Sequence, residues 1–179
     1  MIYLLLADGF EEVEAICPLD ILRRGGLSVQ TVGITGKFVT GSHGITLEAD
    51  ILPEQAGDEI ELLMFPGGMP GATNLDQSAH TDRLLNAVMH HGGRVAAICA
   101  APMILGKRGL LQGKRAIAYP GYEKYLTGAI VTPDSRVVTD GPFTTAVGMG
   151  ASAEFGFALL GLMAGREKAE EVFRSARFQ

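Results

Sequence analysis

The chain has 179 residues, 47% of them hydrophobic and 20% charged, which suits one domain spanning 1–179 with a full core and excludes extended disorder. Its net charge of -5 comes from interspersed acidic and basic residues with no basic stripe, so nucleic acid is not an expected partner. No apolar run approaches the roughly 20 residues that cross a bilayer, and two cysteines, Cys17 and Cys99, make no disulfide framework, so a reducing cytoplasm is the simplest setting.

The opening run "IYLLLA" is continuously apolar, as a strand buried on both faces requires, and reads as a strand and not a signal peptide. "EEVEAICPLDILRRGG" follows with acidic residues in its first turn, Arg23 and Arg24 in its last and glycine at its stop, which predicts a helix. Pro18 inside it predicts a kink or local break. "LSVQTVGI" reads as a second strand, and "KFVTGSHGITLEAD" as a hairpin turning at Gly41 and Gly44.

"IELLMFP" is another buried strand and runs into the glycine-rich "GGMPGATNL", a tight loop. A helix is expected over 78–91, then the strand "RVAAI", then a helix beginning in "AAPMILGKRGLL". "RAIAY" and "AIVTPDSRVVTDGPFTTAVG" supply short strands, and two helices close the chain over 149–163 and 166–176. Apolar strands alternating with helices predict an α/β architecture, mostly a parallel sheet with helices on both faces.

In open sheets of this kind, sites form beyond the carboxyl ends of the strands. Three strand ends carry unusual residues: "ADGFEEVE", "FPGGMPG" and "AICAAP". Cys99 is either a buried structural cysteine or a nucleophile. Its place where a strand stops and a helix starts favours the second, since the positive helix end stabilises a thiolate and lowers its pKa. The arrangement has the logic of a nucleophile elbow without the G-x-S-x-G pattern. The glycines at 67 and 68 let backbone N–H groups face a ligand and, with the N–H after Cys99, form an oxyanion hole. No Gly-Lys-Ser/Thr follows them, so they are not a nucleotide loop.

Four carboxylates in "DGFEEVE" repel phosphate, which argues against a dinucleotide or flavin there. Glu11 and Glu12 fit a solvated helix start, Glu14 lies one turn deeper, and Asp20 is spaced to pair with Arg24. Of the four histidines, His90 and His91 fit a helix end and His43 has no assigned role. No His-x-x-x-His or Cys-x-x-Cys occurs, so the sequence supports no metal site.

"EEVEAICPLDILRRGG", "FPGGMPGATNL", "AAICAAP" and "GMGASAEFGFALL", in that order, resemble the ThiJ/PfpI superfamily, nearest its branch of the parkinsonism-associated protein deglycase and bacterial relatives. The resemblance implies a flavodoxin-like sandwich with a strand–Cys–helix elbow and a homodimer. It places the reactive cysteine at Cys99, its partner glutamate at Glu14 and the oxyanion-type backbone donors at Gly68 and Ala100. It implies glyoxalase or deglycase action on small electrophilic carbonyl compounds or glycated proteins, needing no cofactor or metal. The alternative it carries is a redox sensor or chaperone-like stress protein that uses oxidation of Cys99. Ala100 stands where the protease-like branch has histidine, which disfavours a cysteine–histidine peptidase. Tyr119 stands where the deglycase has a histidine near the site; a phenol can orient groups by donating a hydrogen bond but is a poor base near neutral pH.

Overall fold

A computed structural model of the chain describes residues 1–178. Ten strands and six helices follow in the order β1 (Ile2–Leu6), α1 (Glu12–Arg24), β2 (Val29–Gly33), β3 (Phe38–Thr40), β4 (Thr46–Glu48), β5 (Leu62–Phe65), α2 (Gly71–Asp76), α3 (Ala79–His90), β6 (Arg94–Ile98), α4 (Pro102–Lys107), β7 (Arg115–Ala116), β8 (Ile130–Val131), β9 (Val137–Asp140), β10 (Phe143–Ala146), α5 (Ser152–Ala164) and α6 (Arg166–Ser175). Six strands form the main sheet in the order β2-β1-β5-β6-β10-β9, parallel except for β9 at the edge.

Side-chain alternation along the buried strands divides the core in two. Ile2, Leu4 and Leu6 of β1, Leu62 and Met64 of β5, and Ala96 and Ile98 of β6 face a cluster built with Leu22 of α1 and Phe155, Leu159 and Leu160 of α5. Tyr3, Leu5, Leu63, Phe65, Val95 and Ala97 face the opposite way, onto Leu75, Leu84, Val88 and Ile104 of α2, α3 and α4. Helices therefore cover both faces, and the continuous apolar runs are the consequence.

Two local expectations change. α1 runs unbroken through Pro18. There α5 approaches closely: a Cβ on Gly156 would stand 3.0 Å from the Pro18 Cα, so packing against α5 holds the helix on course through the proline. The glycine-rich loop also holds a helical turn and a half, α2, which its glycine and asparagine conceal. The 38–48 segment is an antiparallel hairpin, as its turn glycines predict.

Candidate active site

Because β1, β5, β6 and β10 are parallel, their carboxyl ends share one edge, and the chain leaves that edge through residues 7–11, 66–70, 99–101 and 147–149. Cys99 is the first residue beyond β6. It takes φ = +63°, a left-handed conformation uncommon outside glycine. Its backbone is held at both ends: its N–H donates to Ala146 O at 2.9 Å, and its carbonyl accepts the Tyr119 N–H at 2.8 Å. Ala100 and Ala101 are buried and small enough for the turn to enter α4 at Pro102.

Glu14 reaches this cysteine from the first turn of α1. Glu11 caps the helix, its side chain accepting the Glu14 N–H at 2.7 Å. The Glu14 side chain is 1% exposed; its Oε2 accepts the Gly67 N–H at 2.9 Å, and the carboxyl lies beside Cys99. Gly67 permits this approach: a Cβ there would lie 2.6 Å from both the Cys99 Cβ and Glu14 Oε2. The backbone N–H groups of Gly68 and Ala100 favour the charged form of the Cys99 thiol. Gly68, at φ = +86°, sits where a Cβ would be 2.3 Å from the Glu11 nitrogen. Cys99, Glu14, Gly68 and Ala100 thus lie together at one strand edge.

Burial pushes Glu14 up to about 7, against the hydrogen bonds from Cys99 and Gly67. Burial, then the Glu14 charge, push Cys99 up to about 12, against the Ala100 and Gly68 N–H groups. The helix-end argument predicts a lowered thiol pKa; α4 begins three residues beyond Cys99, and burial beside a carboxylate outweighs it. Read as a pair, the two groups give up one proton near 7 and keep the other to about 12, so between those values they share one negative charge.

Tyr119 is 50% exposed and flanks the site; a Cβ on Gly148 would stand 3.2 Å from its ring and 4.0 Å from Cys99 Sγ. Gly148 was not singled out from sequence, because its contact depends on β10 lying beside β6. Asp20 and Arg24 pair at 2.6 Å as their spacing predicts, whereas Arg23 turns to Asp50 and Val29 O.

The expected solvated role of Glu11 and Glu12 does not survive. Glu11 is the half-buried cap and Glu12 is 3% exposed, covered by the turn of the β3–β4 hairpin. Glu11, Glu12 and His43 bring three potential metal ligands within 4.8 Å of one another. Their oxygens already accept protein hydrogen bonds, and the cluster sits at the positive end of α1, which opposes a cation.

The sequence profile of the DJ-1/PfpI family matches residues 1–162, and the chain belongs to that family. It is 36% identical over 171 residues to Protein dj-1beta of Drosophila melanogaster, covering 94% of this chain and 91% of that one. It is 35% identical over 143 residues to a protein named deglycase from Pyrococcus abyssi, covering 78% and 85%. Against the longer Protein DJ-1 homolog B of Arabidopsis thaliana, 36% identical over 170 residues, 93% of this chain spans only 39% of that protein. The crystal structure of Drosophila DJ-1beta superposes with a TM-score of 0.92 at 34% identity, covering 97% of this chain and 95% of that one. The structure titled Toxoplasma gondii DJ-1, oxidized gives 0.90 at 30% identity, covering 98% and 96%.

Proposed function

We propose that the chain is a cofactor-independent glyoxalase or deglycase in which Cys99 attacks a small electrophilic carbonyl compound or its adduct on a protein. The observation that carries this reading is Cys99 at φ = +63° with the buried Glu14 carboxyl beside it. Family membership and the deglycase-named relative support the substrate class.

In this mechanism Glu14 holds the proton that leaves the thiol, and the sulfur lone pair forms a bond to the carbonyl carbon. The C=O π pair moves to oxygen, where the Gly68 and Ala100 N–H groups offset the developing charge. Glu14 then returns the proton to that oxygen, giving a neutral hemithioacetal. Glu14 then moves the C1 proton of the hemithioacetal to the neighbouring C2 through an enediol, giving a 2-hydroxyacyl thioester with no outside oxidant, and water hydrolyses that thioester to the 2-hydroxy acid and frees the thiol. Tyr119 orients the bound group through its hydroxyl.

The assay is consumption of a 2-oxoaldehyde by purified protein, with buffer-catalysed loss subtracted. Turnover abolished in Cys99→Ser is the expected result; consumption that stops after one equivalent defeats the enzymatic reading and favours the second. In that second reading Cys99 is a redox sensor, oxidised to the sulfinate by two equivalents of peroxide that are each reduced to water, with a protonated Glu14 donating to the product; the relative whose structure is titled oxidized favours it.

The protein acts as a homodimer in this proposal. Val13, Ile16 and Ile45 are 44%, 38% and 52% exposed and, with Cys17, line an apolar groove of about 340 Å³ on α1 and the hairpin. A second copy of the chain covers this face. Sedimentation giving only the monomer mass at micromolar concentration would end that part.

A further inference from the structure

Glu12 is a buried carboxylate that the proposed chemistry does not use. A charge taken from water must be hydrogen-bonded, and here the donors come from the hairpin turn. Glu12 Oε1 accepts the His43 N–H at 2.8 Å and the Ile45 N–H at 3.4 Å, while Oε2 lies 2.9 Å from His43 Nδ1. Gly41 leaves room for the carboxylate, since a Cβ there would stand 2.3 Å from Oε1. The turn is fastened beside it by Ser42 N–H to Phe10 O and Gly9 N–H to Thr40 O, both 2.8 Å, and by Thr40 N–H to Asp8 Oδ1 at 2.9 Å.

The loop gripped on this side packs against the active site on the other. Glu11 N–H donates to Gly67 O at 2.9 Å. Cβ atoms on Gly9 and Gly71 would stand 2.4 Å from the Pro70 ring and 2.5 Å from the Phe10 nitrogen. With Gly68 against the Glu11 nitrogen, residues 8–11 are wedged between the hairpin turn and the glycine loop, with no slack for one to shift alone.

We propose that Glu12 and His43 are positioning residues: together they latch the hairpin turn onto the β1–α1 loop and so hold Glu14 and the Gly68 N–H in place against Cys99. This rests on Cys99 being the reactive group, and not on any substrate, so alkylation tests it even if carbonyl turnover is absent.

The latch has a titratable half. Within one protomer His43 is 71% exposed, and the charged groups facing it are Glu12 and Glu11, at 2.9 and 4.0 Å. Hydrogen bonding and charge from Glu12, and charge from Glu11, raise its pKa above the ordinary histidine value. A raised histidine pKa means that the latch is tightest below the unfolded value and loosens as pH rises through the folded one.

The test is the iodoacetamide rate at Cys99 against pH in wild type, His43→Ala and Glu12→Gln, with melting temperatures for each. Thiolate absorbance in each protein follows the Glu14–Cys99 titration separately, so that a shift of that pair is told apart from the His43 titration. The expected wild-type/His43→Ala ratio is about two- to fivefold below the His43 titration and falls towards one above it, the scale of a partly exposed ion pair. Glu12→Gln keeps an acceptor but no charge, so the His43 ring, followed by NMR, titrates at a lower pH than in wild type. Ratios independent of pH, with only the melting temperature lowered, would mean that the pair merely stabilises the fold and would overturn the proposal. A His43 titration unchanged in Glu12→Gln would overturn it equally.

Discussion

Replacing Glu14 by Gln removes one charge from a site that shares one proton, and the consequence for Cys99 can be worked out. An ionised carboxylate about 4 Å from a thiolate costs on the order of 4 kcal/mol at an effective dielectric of 20. At 1.36 kcal/mol per pKa unit that is about 3 units. Cys99 stands at about 12 with burial and the Glu14 charge as its two largest upward causes. Losing the negative neighbour favours the thiolate, so Glu14→Gln lowers the thiol pKa by roughly 3 units, and further to the extent that the amide donates to sulfur. Glu14→Asp keeps the charge on a shorter arm that cannot reach Gly67 N–H and Cys99 together, so its thiol titrates above that of Glu14→Gln. The assay is thiolate absorbance in the ultraviolet against pH, with Cys17→Ala as the common background. A thiol in Glu14→Gln titrating at or above that of Glu14→Asp would refute the shared-charge account.

The same carboxyl should cost the fold stability. A folded pKa of about 7 against 4.5 means stability is full below 4.5 and lost as pH rises through 7, so Glu14→Gln is more stable than wild type at pH 8 by up to about 3 kcal/mol, and equal at pH 4, in urea unfolding. Both thiols are raised, Cys99 to about 12 and Cys17 by burial and Asp20, so thiolate content does not favour Cys99; it should still alkylate faster than Cys17, because the Glu14 carboxylate beside it takes the thiol proton as the sulfur reacts, and equal labelling by peptide mapping would count against a special Cys99. Gly67→Ala pushes a methyl into the Cys99–Glu14 contact and should destabilise by about 1–3 kcal/mol while slowing Cys99 alkylation; unchanged alkylation would show the contact to be dispensable. Asp76, half-buried yet held below the usual carboxylate range by Lys107 and Arg108, ties α2 to α4. Asp76→Asn should lose about 1–3 kcal/mol at pH 7, the difference disappearing as pH falls through the depressed folded value.

The main sheet was readable because "IYLLLA", "IELLMF" and "RVAAI" are apolar on both faces, and only a two-sided sheet buries such runs. The site edge was readable for the same reason: parallel order sends Glu14, Gly68 and Cys99 to one side. What escaped depends on partners distant in sequence. Glu12 looks like a solvated helix start until a hairpin turn some thirty residues away covers it. Pro18 looks like a break until Gly156 lets α5 press against it. The Cys99 thiol was expected low from its local helix, whereas its burial and the carboxylate beside it come from other parts of the chain. α2 was hidden because Gly71 and Asn74 read locally as loop residues.

The backbone at position 99 chooses among side chains before any chemistry does. Both of its peptide groups are committed, to Ala146 and to Tyr119, so a replacement inherits φ = +63°. Asparagine and aspartate enter that region more readily than other non-glycine residues. An aspartate is also the nearest natural likeness to an oxidised cysteine acid. Position 99 therefore accepts, at little conformational penalty, a residue that imitates its own oxidation product: Cys99→Asp is expected to fold and to share a proton with Glu14, a form against which oxidised protein can be compared.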